Sequence, residues 1–61
     1  MQIKSQATGY VYEVTNVDGW ITVSWRDADG VECFTSPTRK EDLAPSDLDE
    51  AADLPLILAA L

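Results

Sequence analysis

A chain of 61 residues with 11 acidic and 4 basic side chains, a net charge of −7, no histidine and one cysteine has room for a single domain with a small core. Its charge opposes a phosphate backbone, which disfavours nucleic acid and anionic membranes as direct partners and favours basic protein surfaces. Cys33 alone cannot form an intrachain disulfide, and nothing in the sequence has the spacing of a metal site. No cofactor is therefore expected, and self-association is the stabilising device left to so small a fold.

The opening Met1-Gln-Ile-Lys-Ser-Gln6 lacks the apolar core of a signal peptide. The longest apolar run, Leu54 to Leu61, is far short of the ~20 residues of a membrane helix. With one cysteine, the expectation is a soluble cytoplasmic protein, and the initial methionine reads as the start of a complete chain. Residues 1–8 carry Ile3 in a polar context and fit a frayed edge strand.

Gly9 to Val14 is the first well-marked strand, rich in aromatic and β-branched residues. Alternation sets Tyr10, Tyr12 and Val14 against Val11 and Glu13, and a bulge near Gly9 or Tyr12 would let both valines point inward. Asn16 to Gly19 is a hairpin turn ending in Asp-Gly. Trp20 to Arg26 alternates cleanly: Ile21, Val23 and Trp25 belong to the core, and Trp20, Thr22, Ser24 and Arg26 to a polar face. Asp27 to Gly30 turns the chain again, Gly30 supplying a positive φ. In Val31 to Ser36, Phe34 argues for burying one face and Val31 with Cys33 for burying the other; Pro37 ends the strand.

Thr38 to Pro45 is polar apart from Leu43, which anchors a short strand or helical turn. The composition shifts at Pro45, dividing a β body (1–45) from a helical tail (46–61). Ser46 to Asp49 has the pattern of a helix start. Pro55 excludes one unbroken helix and fits the first turn of a second one capped by Asp53. Two short helical pieces with a kink near Asp53 to Pro55 follow.

Gly9-x-Val11, Gly19-Trp-Ile-Thr-Val-Ser-Trp25, Gly30 and Leu43 resemble the pattern of Tudor-like and related SH3-like small barrels over about residues 9–44. The resemblance implies a small barrel and, in some members, peptide binding through an aromatic cage. Tyr10, Tyr12, Trp20, Trp25 and Phe34 are the only residues that could build such a cage here. Against it, Trp25 falls on the apolar face, and so small a domain needs its large side chains for burial.

Trp20 stands out because it lies on the polar face of its strand; beside Tyr10 or Tyr12 it would make an interaction hot spot. Asp27, Asp29 and Glu32 around Gly30 lack the spacing of a calcium loop and read as a β-turn. Cys33 has no histidine to activate it and reads as a small buried hydrophobe. Leu54 to Leu61 places apolar residues on every side of a helix, so it either forms an interface through residues such as Leu56 and Ile57 or folds back to plug the barrel. Six of the eleven acids fall between Glu41 and Asp53. Asp47, Asp49, Glu50 and Asp53 among them are a candidate acidic surface.

The sequence therefore predicts a mainly β fold, a small SH3-like barrel or bent antiparallel meander with a short C-terminal helical tail. The expected role is a non-catalytic protein-interaction module, self-associating as a homodimer or binding another protein. Its candidate contacts are Tyr10, Tyr12, Trp20, Leu56 and Ile57. The alternative is an acidic inhibitor or nucleic-acid mimic that blocks a basic nucleic-acid-handling enzyme.

Overall fold

A computed structural model describes residues 1–61. Its frame is an antiparallel sheet with strands β1 (Gln2–Lys4), β2 (Val11–Val17), β3 (Trp20–Arg26), β4 (Glu32–Phe34) and β5 (Thr38–Arg39). The order is β1-β2-β3-β4, with β5 also on β3. Strands β4 and β5 share one edge of β3, opposite Ser24–Arg26 and Trp20–Ile21 respectively. The sheet does not close into a barrel; it is a bent meander.

The β2–β3 hairpin is tight because Asp18 (φ 53°) and Gly19 (φ 85°) both adopt left-handed backbone, the geometry whose twist matches the flanking strands. The Gly19 amide donates to Asn16 Oδ1 at 3.0 Å. The β3–β4 turn is organised by Asp27, whose Oδ1 accepts from the amides of Asp29 and Val31, each at 2.9 Å. Thr35 then hooks the chain onto β3: its amide donates to the Val23 carbonyl at 2.9 Å, and its Oγ1 accepts from the Val23 amide at 3.1 Å.

Strand alternation divides the sheet into an inner and an outer face. Tyr12, Val14, Ile21, Val23 and Trp25 are buried on the inner face. The tail crosses that face through short 3-10 turns at Lys40–Asp42, Pro45–Asp47 and Ala51–Asp53, followed by helix α1 (Leu54–Ala60). From it Leu43, Leu48 and Ile57 complete the core, with Leu54, Leu58 and Leu61 packed against them. No helix is long and apolar enough to cross a membrane.

Three hydrogen bonds to two acidic side chains fasten this tail. Asp53, only 3% exposed, accepts from Tyr12 Oη at 2.5 Å and from Ser5 Oγ at 2.9 Å. Trp25 Nε1 donates to Asp49 Oδ2 at 3.0 Å. The two aromatic rings meet edge to face, 5.4 Å between centroids, an arrangement their quadrupoles favour.

Several expectations are corrected by this packing. No bulge turns Val11 inward: β2 alternates regularly and Val11 stays exposed. Of the two faces left open in Val31 to Ser36, that of Cys33 and Thr35 meets the core, while Val31 and Phe34 are exposed. No helix begins at Ser46, because Leu48 returns to extended backbone to reach the core. Asp53 precedes α1 as expected, and Pro55 lies in its first turn, but the carboxylate turns into the core instead of capping the helix. Tyr12 and Ile57, expected as partner contacts, are fully buried within the chain, and Asp53, expected on an acidic surface, is buried in the core.

These contacts make two predictions. Asp53→Ala strands two buried hydroxyl donors, so stability falls by about 2–4 kcal/mol, measured by urea denaturation at pH 7. The Tyr12 phenol is held well above its ordinary range, first by burial, then by its hydrogen bond to Asp53 and the charges of Asp53, Asp49 and Glu50. Above pH ~10 the unfolded chain releases this proton and the folded chain keeps it, so stability falls by about 1.4 kcal/mol per pH unit there. Denaturation at rising pH shows this slope in the parent and its loss in Tyr12→Phe.

Candidate functional site

The outer face is built by the residues that alternate with the core. Cross-strand register sets Val17, Trp20 and Arg39 in one row, Thr15 beside Thr22 in the next, then Glu13, Ser24 and Phe34, then Val11 with Lys4 on the neighbouring strand and Arg26 with Glu32 at the far end. No element packs over them. An antiparallel sheet commonly leaves one face to water, but that face is then polar. Here Phe34 is 75% exposed, Val17 66% and Trp20 47%.

Arg39 holds Trp20 in place. Its guanidinium lies 4.1 Å from the indole centroid and its Nη1 donates to the Asp18 carbonyl at 3.1 Å. A Cβ at Gly19 would collide with that guanidinium, so the glycine serves both the turn and the stack. Cation–π stacking fixes the orientation of an exposed ring. Thr15 Oγ1 and Thr22 Oγ1 are hydrogen-bonded across the middle of the face. At its far end an open cleft of about 440 Å³ is bordered by Tyr10, Val11, Glu13, Ser24, Arg26 and Glu32.

Charge is divided between the two sides of the molecule. Lys4, Arg26 and Arg39 share the outer face with Glu13 and Glu32, while Asp18, Asp27 and Asp29 sit in the turns. The segment from Lys40 onward carries Glu41, Asp42, Asp47, Asp49, Glu50 and Asp53 against one lysine. The outer face is thus close to neutral in a strongly acidic protein.

The expected contact residues do not form one site. Trp20 is exposed as its strand position required. Tyr10 is half-buried against the core and reaches the cleft. Leu56 is exposed on the opposite, tail side. The five aromatics do not converge on a cage, since Tyr12 and Trp25 are buried on the inner face while Trp20 and Phe34 lie outside. Of the acidic candidates, Asp47 and Glu50 remain near the surface, although each also accepts a backbone amide, from Ala44 and Ala52. Asp49 is exposed and tied to Trp25. Val17, read as part of the turn, ends β2 on the outer face, and Phe34, whose side the sequence left open, lies there too. The signal for Phe34 was its alternation with Cys33.

Asp27, Cys33 and Asp49 bring one ligand atom each within 4.8 Å of one another. Both carboxylates already serve the fold, Asp27 in its turn and Asp49 on the Trp25 indole. Burial, then the charges of Asp49 and Asp27, push the Cys33 thiol up, opposite to the shift that activates a nucleophilic cysteine.

Comparison with protein-family models, with curated proteins and with solved structures returns no match.

Two expectations follow from this geometry. Phe34→Ser changes folding stability by no more than about 0.5 kcal/mol, the range of surface substitutions, as thermal or urea unfolding will show. Cys33 reacts with a disulfide reagent at pH 8 more slowly than free cysteine, because less of it is thiolate; absorbance of the released thiol follows the rate.

Proposed function

We propose that this chain is a non-catalytic protein-interaction module whose docking surface is the outer face of the sheet. The observation that carries the reading is the group of exposed hydrophobes, Val17, Trp20 and Phe34 with Val11, on a face that no part of the chain covers. Several large apolar side chains exposed on one uncovered sheet face suit an interaction surface, and an aromatic ring pre-oriented by Arg39 loses little freedom on binding. The site replaces the one expected from Trp20 with both tyrosines, and Leu56 lies apart from it on the tail side.

The charge division supports a second reading, an acidic inhibitor whose tail side occupies the basic groove of a nucleic-acid-handling enzyme. Its surface would be Glu41, Asp42, Asp47 and Glu50; Asp53 is excluded by burial. Affinity capture from a lysate, eluted in a salt gradient, separates the two. An apolar contact survives salt and is lost with Trp20→Ala or Phe34→Ser. A charge contact fails as salt shortens the screening length and is lost when Glu41→Gln, Asp42→Asn and Glu50→Gln are combined. The first pattern is expected; the second overturns the sheet-face reading.

A further inference from the structure

We infer that the partner of the outer face is a second copy of this chain, in a two-fold dimer that stacks the two outer faces. This rests on the reading of that face as a docking surface and specifies its occupant.

The first observation is electrostatic. Two chains of net charge −7 repel, so self-association requires a contact that keeps their acidic sides apart. The outer face carries three cations and two acids, and Lys40 onward carries six acids and one cation, mostly on the opposite side of the sheet. Stacking outer face on outer face buries the least negative surface and leaves both tails pointing outward. A tail-to-tail contact would oppose like charges, and a face-to-tail contact is heterologous and gives no two-fold dimer.

The second observation is steric. Phe34 projects from β4, and the open cleft is bordered by Val11 and Glu13 of β2; the two strands flank Ser24 of β3 on either side. A two-fold axis parallel to β3, midway between stacked sheets, exchanges the β2 side of one copy with the β4 side of the other. Each Phe34 then lies over the partner's cleft, a knob and hole repeated by symmetry, and the sheets can approach to the usual ~10 Å. The sheet is at most seven residues long and four strands wide, so at ~3.3 Å per residue and ~4.8 Å per strand its outer face offers roughly 450 Å² per partner, below the standard size of specific interfaces. The dimer is therefore weak and concentration-dependent.

Sedimentation equilibrium of the full chain, up to about 1 mM and in about 0.02 and 0.5 M NaCl, tests the inference. The expected result is a monomer–dimer equilibrium that tightens about threefold or more at the higher salt, where repulsion between the acidic chains is screened. Phe34→Ser, which leaves the fold intact, should weaken it about tenfold or more, as loss of a buried aromatic anchor does. Glu41→Gln with Asp42→Asn should not weaken it. A monomer throughout, a dimer indifferent to Phe34→Ser, or a dimer that salt dissolves would each overturn the inference. If the chain is monomeric yet Phe34→Ser abolishes salt-resistant capture of another protein, the dimer fails and the docking face stands. If Phe34→Ser affects neither association nor capture, both fail.

Discussion

The interaction on which the architecture turns is the buried carboxylate of Asp53. Taking an ionised carboxylate out of water is costly unless hydrogen bonds replace its hydration, and here the replacements are the hydroxyls of Tyr12 and Ser5. Ser5 is itself held by the amides of Ala7 and Thr8, so the loop after β1, the middle of the sheet and the start of α1 meet at one group. Because Asp53 directly precedes α1, burying it lays the helix on the sheet and seats Ile57 in the core. Tyr12 can be fully buried because its hydroxyl has this acceptor, and its ring then supports Trp25, whose indole is bonded to Asp49.

The rest of the molecule follows from committing the tail to one face. The apolar side chains of the tail close one side of the five-stranded sheet, and none of the elements of residues 1–61 covers the other. The same commitment separates charge, drawing most of the acids away from the outer face. What remains outside is a surface with Trp20 braced by Arg39 and Phe34 projecting from a short edge strand. The bare face and the segregated charge are thus two consequences of one packing decision.

Much of the sheet was legible in the sequence. The alternation in Trp20–Arg26 identified both faces of β3, and Asp18-Gly19 and Asp27–Gly30 marked the turns because their backbone demands are local. Leu43 and Pro55 also lie where their chemistry placed them. The failures lie where a residue's role depends on a distant partner. Tyr12 looked like an exposed aromatic and Asp53 like surface charge, yet they are 41 positions apart and bonded to each other. Ile57 looked equally suited to an interface until the tail's path was fixed by that bond. Phe34 was ambiguous for a related reason: periodicity could not choose between two apolar sides of a three-residue strand, and pairing of Ser24 with Phe34 decides it.

Hydrogen exchange at the two tryptophan indole N–H groups, followed by NMR in dilute monomeric protein, tests the central claim that the tail closes the inner face and leaves the outer one free. Trp25 should exchange slowly, only when the tail or the whole fold opens, while Trp20 should exchange close to the rate of a free indole. Equal rates, or protection of Trp20 over Trp25, would contradict the assignment of the two faces.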